Sequence, residues 1–228
     1  MPRLARRHLS RGCFHVLNRG NHRQTLFHRP DDYAQFLELL TAAHKKFDVD
    51  LWGYCLMSNH WHLVVEVEDL DELSGWVHWI CNRHVRLFHR DRRELGGGHI
   101  YQGRYKSFPI EDEDYMYEVL RYVEANPVRA GLVTRGRDWP WSSLSRATVQ
   151  RGLLPVERPP LQPWVRNAAW EAEVDQPLEP HPLLVLRQSV VRGTPFGAAD
   201  WVNRVVAEHG LESTVRPRGR PRKSLPTP

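Results

Sequence analysis

The spacing of apolar and polar positions changes several times along the chain, and each change marks an element. From Cys13 to Asn21 ("CFHVLNRGN") the positions alternate, which sets Phe14, Val16 and Asn18 on one face of a strand ended by a Gly-Asn turn signal. Pro30–Phe47 changes to helical spacing, with Tyr33, Phe36, Leu37 and Leu40 on one face behind capping acids. Asp50–Met57 and His60–Val67 predict two strands joined by a tight turn at Ser58 and Asn59, and Asp69–Arg90 predicts a second long amphipathic helix. After a glycine-rich turn at 96–98, His99–Ile110 predicts a bent fourth strand. Glu111–Asn126 predicts a third helix, opened by acids that suit its dipole and stopped by Pro127.

The order βαββαβ, followed by one more helix, predicts an α+β fold of the ferredoxin-like kind, an antiparallel sheet with both core helices on one face. The third helix must then pack elsewhere, on or beside the open face. Beyond Ala130 the pattern weakens. We divide the chain into a core (1–134), a Trp/Pro-rich extension and linker (135–180), a small helical segment (181–212) and a basic tail (213–228). Trp139 and Trp141 are placed to anchor the extension back onto the core, and the tail has too few apolar residues to form a core and is expected to be disordered alone.

Composition narrows the class. With 41% hydrophobic and 26% charged residues the profile is that of a soluble globular protein. No apolar run approaches the roughly 18 residues of a membrane span, and the arginine-rich start lacks a signal peptide's apolar centre, so we expect a cytoplasmic protein with no membrane partner. Three widely spaced cysteines indicate neither a disulfide framework nor a zinc knuckle. The net charge of +5 is unevenly spread. Residues 1–30 hold seven arginines and no acid, and residues 214–228 hold four arginines and a lysine with no acid, so the middle is net acidic. Basic ends of this kind point to a polyanion, and nucleic acid is the usual one.

The stretch "MSNHWHLVVEV" (57–67) carries the candidate chemistry. Strand alternation places Trp61, Leu63, Val65 and Val67 on an apolar face suited to the core helices, and His60, His62, Val64 and Glu66 on the other. Two adjacent imidazoles on the open face can hold one divalent ion. In the third helix the core stripe is Tyr115, Met116, Val119, Leu120 and Val123, while Tyr122 and Asn126, four apart, share its flank. If that helix lies on the open face, Asn126 offers the ion a carbonyl oxygen and Tyr122 a phenol beside it. A phenol, a divalent cation and basic flanks suit phosphodiester chemistry, with the ion on the phosphate oxygens and the phenolate as in-line nucleophile. A free phenol ionises only near pH ~10, so the site must assist. Taken singly, Tyr122 also reads as an ordinary packing residue.

Four motifs, "HVLNRGNHRQTLF" (15–27), "YCLMSNHWHLVVE" (54–66), "YQGRYKSFPI" (101–110) and "LRYVEANPVRAGLV" (120–133), resemble those of the REP-associated tyrosine transposases, in the single-tyrosine HUH (His-hydrophobic-His) nuclease superfamily. The resemblance covers about residues 3–150. It implies a metal pair in His60 and His62, a nucleophile in Tyr122, and a metal-completing amide in Asn126, where related insertion-sequence transposases carry glutamine. It further implies cleavage and joining of single-stranded DNA at hairpin-forming extragenic palindromes with a short guide sequence, through a 5′-phosphotyrosine and a free 3′-hydroxyl. The segment around Arg11–Arg23 would then contact guide bases, with Arg19, Asn21 and Arg23 as donors, while Arg104, Tyr105 and Lys106 hold backbone phosphate or stack on a base. The expected cofactor is Mg²⁺ or Mn²⁺. "RPRGRPRK" (216–223) resembles an AT-hook, whose Arg216, Arg218, Arg220, Arg222 and Lys223 would reach into an A·T-rich minor groove or act as an electrostatic tether. Other readings stay open: a rolling-circle replication initiator, which the absence of a helicase phosphate loop disfavours; a catalytically idle hairpin-binding regulator; and a zinc hydrolase using Cys55, His60 and His62. The choice between monomer and dimer is open as well.

Overall fold

Strand β1 (Gly12–Arg19) organises the sheet. It pairs antiparallel with β3 (His60–Val67) on one side and β4 (Lys106–Ile110) on the other, and β2 (Asp50–Met57) pairs antiparallel with β3. This computed structural model describes residues 11–92, 98–145 and 167–216. The strand order β2-β3-β1-β4 is the ferredoxin-like arrangement expected from the element order.

One sheet face packs on α1 (Pro30–His44) and α2 (Leu70–Arg92). Register explains which residues go there: Phe14 lies opposite Val65, Val16 opposite Leu63 and Asn18 opposite Trp61. The apolar members join Phe36, Leu37, Leu40, Trp76, Val77 and Ile80 in a core in which none is more than 1% exposed. Each such side chain contributes roughly 1.5–3 kcal/mol by leaving water. Asp32 locks the start of α1: its carboxylate accepts from the backbone N–H of His28 (2.8 Å) and Arg29 (3.2 Å) and from Arg92 at the end of α2 (3.1 Å). Burial alone would raise its pKa, but these donors hold it below the usual carboxylate range.

The opposite face receives α3 (Glu113–Glu124), as the sequence pattern requires. The Asp112 side chain caps it by accepting from the backbone N–H of Asp114 and Tyr115. Met116, Val119, Leu120 and Val123 then pack with Cys55, Val64, Phe108 and Ile110. Glu124, fully buried, accepts from the Ser143 hydroxyl (2.6 Å) and the Trp170 indole N–H (2.7 Å), which ties the helix to two later segments.

Three expectations change. The fourth strand is only Lys106–Ile110, and residues 98–105 form a loop whose ladder pairing is one isolated bridge, Tyr101 to Gly20, beside a bond from Gln24 Nε2 to Ile100 O (2.8 Å). The cause is Tyr101, whose buried hydroxyl accepts from the Trp61 indole N–H (3.1 Å) and bonds His84 Nδ1 (2.5 Å), anchoring the loop to the helix-side core. The third helix does not stop at Pro127. It ends at Glu124, and a one-turn α4 (Asn126–Arg129) restarts with Pro127 in its first turn, where the missing N–H costs nothing. Finally, the stretch expected to be a linker contains α5 (Ala168–Asp175), capped by the Asn167 side chain and buried through Trp170 and Val174.

Trp139 and Trp141 do return to the core. The Trp139 indole donates to Leu56 O (2.9 Å), Trp141 stacks on Tyr33 at 4.8 Å, and Leu56 N donates to Trp141 O (2.9 Å), so this segment covers the outer edge of β2. The expected helical pair is α6 (Pro180–Arg192) and α7 (Ala199–Glu208). Between them Phe196 makes a parallel bridge to Ile110, which covers part of the β4 edge. Among the described residues, no helix is long and apolar enough to cross a membrane. Arg218, Arg220, Arg222 and Lys223 lie outside the described residues.

Candidate active site

The hairpin that joins β2 to β3 places His60 and His62 at the start of β3, on the face that α3 covers. His60 lies opposite Arg19 and His62 opposite Leu17 in the β1 ladder. Their ring centroids are 5.0 Å apart at 85°. Asn59 orients the first imidazole. Its Nδ2 donates to Arg23 O (3.3 Å), which turns Oδ1 toward His60 Nδ1 at 2.7 Å. An oxygen can only accept, so His60 carries its proton on Nδ1 and keeps a bare Nε2. Burial lowers the His60 pKa to about 4, with Arg19 and Arg129 adding to the shift. Burial again, followed by His15, His60 and the same arginines, holds His62 well below 6.5. Both rings are therefore neutral at pH 7, the form that can bind a metal.

Tyr122 meets His62 edge-to-face, with ring centroids 6.0 Å apart. Arg129, two helical turns further on, lies over the phenol ring at 4.0 Å. It donates to Tyr122 O (2.8 Å) and Asn126 Oδ1 (2.7 Å). Asn126 Nδ2 in turn points at the carbonyls of Tyr122 (3.3 Å) and Val123 (3.2 Å). Ala125 keeps right-handed helical dihedrals (φ −81°, ψ −4°), and Arg129 N donates to Ala125 O (3.0 Å), so Arg129 stays on the Tyr122 side of the chain. His60, His62, Tyr122, Asn126, Arg129 and Arg19 line one cavity of about 590 Å³.

A larger groove of about 1230 Å³ runs between α2 and the 98–105 loop, and the two cavities share Asn18, Gln102, Gly103 and Arg104 as a common wall. Of the residues expected to touch DNA, Arg19 and Lys106 line the smaller cavity, Asn21 and Tyr105 the larger one, and Arg104 both. Lys106 Nζ donates to Val191 O (2.9 Å), and the Tyr105 hydroxyl lies 3.3 Å from Ser74 Oγ. Arg23 follows His22 in a pair of left-handed residues (φ 62° and 48°), a strained turn beside the site. Gly20 introduces that turn, and a Cβ there would overlap the carbonyl oxygen of Gln24. Arg11 is not brought to the site. It pairs with Glu68 at 3.7 Å at the far end of β1, eight residues and roughly 26 Å of strand from Arg19.

Two residues of the site were not selected from sequence. His15 is fully buried, with Nε2 2.9 Å from His62 Nδ1. Strand alternation already sets His15 opposite to Phe14, but its meeting with His62 depends on cross-strand register. Arg129 is seven residues from Tyr122, a helical spacing that Pro127 disguises. Cys55 lies opposite His62 in the β2–β3 ladder, but it is fully buried against Met57 and burial pushes its thiol pKa up. Among the described residues no three His, Cys, Asp or Glu side chains gather as a metal site.

The ferredoxin-like sheet thus sets the His60 and His62 pair against the helix that carries Tyr122. Residues 9–126, more than half of the chain, match the family described as IS200-like transposases, and the chain belongs to that family. The resemblance to REP-associated tyrosine transposases holds as well. A protein of Haemophilus influenzae catalogued among them is 26% identical over 114 residues, covering 46% of this chain and 64% of that protein's length. The REP-associated tyrosine transposase of Escherichia coli is 26% identical over 147 residues, covering 63% of this chain and 82% of that one. The solved structure of a REP-associated tyrosine transposase bound to a REP hairpin shares the fold (TM-score 0.52, 22% identity, 68% of this chain and 90% of that one).

Proposed function

We propose that the chain is a metal-dependent endonuclease and strand transferase for single-stranded DNA that acts on hairpin-forming extragenic palindromes, as the names of its relatives suggest. The observation that carries this reading is the shared cavity, in which Tyr122, His60, His62 and Arg129 converge from β3, α3 and α4. In the reaction, Tyr122 Oη gives up its proton to solvent and attacks phosphorus, the bond to the 3′-oxygen breaks, and that oxygen takes up a proton from solvent and leaves as a 3′-hydroxyl. The 5′-phosphate remains esterified to Tyr122 until a second 3′-hydroxyl reverses the step.

The residues fit a divalent cation. His60 presents a bare Nε2, His62 retains one ring nitrogen beyond its bond to His15, and Asn126 Oδ1 keeps a second lone pair beside the Arg129 bond. Bound there, Mg²⁺ or Mn²⁺ would polarise the non-bridging phosphate oxygens and orient the leaving 3′-oxygen. Arg129 places a fixed positive charge beside the phenol, where negative charge develops as the oxygen attacks. Arg19 and Arg104 offer contacts to the backbone, Asn21 and Tyr105 to bases in the adjoining groove, and the basic tail to duplex beyond the hairpin. Such an enzyme would act at the bacterial nucleoid.

The test is denaturing-gel cleavage of single-stranded hairpin repeats from the source genome, with Mn²⁺ or a chelator, for wild type and Tyr122→Phe. A metal-dependent covalent protein–DNA product that the substitution abolishes, with hairpin affinity retained, is expected. Hairpin binding without an adduct across a fair set of repeats would instead indicate a regulator.

A further inference from the structure

His15 occupies a place that the reaction above does not use. Its ring is fully buried between His62 and Phe108, with centroids at 5.0 and 4.8 Å. The Nε2 atom is 2.9 Å from His62 Nδ1, while Nδ1 is buried with no hydrogen-bond partner. A 2.9 Å approach of two neutral ring nitrogens requires one proton between them.

Only two arrangements satisfy that requirement. In one, His15 Nε2–H donates to His62 Nδ1, so His62 carries its own proton on Nε2 and has no lone pair left for a metal. In the other, His62 Nδ1–H donates to His15 Nε2, and His62 Nε2 is bare. The neighbouring imidazole is already in the second state, because Asn59 can only accept from His60 Nδ1.

We infer that His15 is a positioning residue that accepts the His62 Nδ1 proton, fixes the tautomer and ring orientation of His62, and thereby makes it a metal ligand; the inference rests on the metal-dependent reading above. The partnership resembles the hydrogen bonds by which carboxylates and carbonyls orient ligating histidines elsewhere. Here the acceptor is neutral, which suits an apolar layer where an unpaired carboxylate would be costly. The arrangement leaves the Nδ1–H of His15 buried without a partner, a cost that the His62 contact has to offset.

Two measurements on the full chain test this. The first is long-range ¹H–¹⁵N correlation NMR of histidine-labelled, metal-free protein. His62 is expected with its proton on Nδ1, and a proton on Nε2 overturns the proposal whether or not the protein is a nuclease. The second is Mn²⁺ affinity by calorimetry or paramagnetic resonance. His15→Phe fills the space without an acceptor and should weaken Mn²⁺ binding about 10–100-fold. His15→Gln places an amide oxygen near the lost Nε2 and should restore part of the affinity. A merely structural role would lower melting temperature in both variants without separating their affinities. Unchanged Mn²⁺ binding in a folded His15→Phe also overturns the proposal. Failure of wild type to bind Mn²⁺ would sink the metal-dependent reading, which the tautomer measurement keeps distinct from the role of His15.

Discussion

Acidification should destabilise this fold more steeply than its carboxylates alone would require, and His84 isolates one part of the effect. The His84 ring is 4% exposed, stacked on Phe27 at 5.2 Å and met edge-on by Phe36 at 4.9 Å. It takes part in a chain in which Trp61 Nε1–H donates to Tyr101 Oη, whose hydrogen is directed to His84 Nδ1. Burial lowers its pKa from 6.5 to about 3, with the charge of Arg92 adding to the shift and that of Asp32 opposing it. Above pH 6.5 the folded and unfolded chains are both neutral at this position. Below it the unfolded chain takes up a proton that the folded one refuses, so stability is lost progressively as pH falls from about 6.5 toward 3. The slope approaches ~1.4 kcal/mol per pH unit, which amounts to about 2 kcal/mol at pH 5 relative to neutral pH. Urea denaturation of wild type and His84→Phe at pH 7, 6 and 5 reads this directly. The substitution removes the Tyr101 acceptor and lowers stability at pH 7, but it should also make the pH 7-to-5 loss smaller by about 2 kcal/mol. Equal losses in the two proteins would refute the argument that His84 is held neutral.

Glu124→Leu should cost about 2–5 kcal/mol in thermal or urea denaturation, because it strands the buried Trp170 indole N–H and leaves the Ser143 hydroxyl only its longer bond to Tyr54 O (3.2 Å); Glu124→Gln, which keeps an acceptor, should cost less, and an unchanged melting temperature in both would contradict the network. Arg129→Met keeps bulk over Tyr122 but removes the charge, so we expect the cleavage rate to fall at least 100-fold while hairpin affinity changes little; equal losses in rate and affinity would mean that Arg129 serves binding only. Truncation after Leu211 should weaken binding to A·T-rich duplex and flatten its dependence on salt, and no change in either would reject a DNA role for the basic tail.

Much of the site was legible because it lies on local periodicity. The two-residue period of β3 assigns Trp61 and Leu63 to one side and His60 and His62 to the other, and the four-residue spacing of Tyr122 and Asn126 puts them on one flank. Each inference needs only a few bonds of backbone geometry, and the β2 and β3 boundaries agree with it at both ends. Agreement faded where a side chain's partner is distant. The pattern places Tyr101 in a strand, yet its hydroxyl belongs to Trp61 and His84. Pro127 predicts a stop, yet the restart of α4 brings Arg129 over Tyr122.

By itself, then, the sequence determined the element order, the ferredoxin-like class and the sidedness of the histidine pair, since hydrophobic period and turn residues act over a few positions. Only the tertiary structure decided that His15 backs His62 and that Arg129 engages both Tyr122 and Asn126. Those facts depend on β1–β3 register, on the helical path kept through Ala125 and past Pro127, and on burial, none of which the apolar period shows.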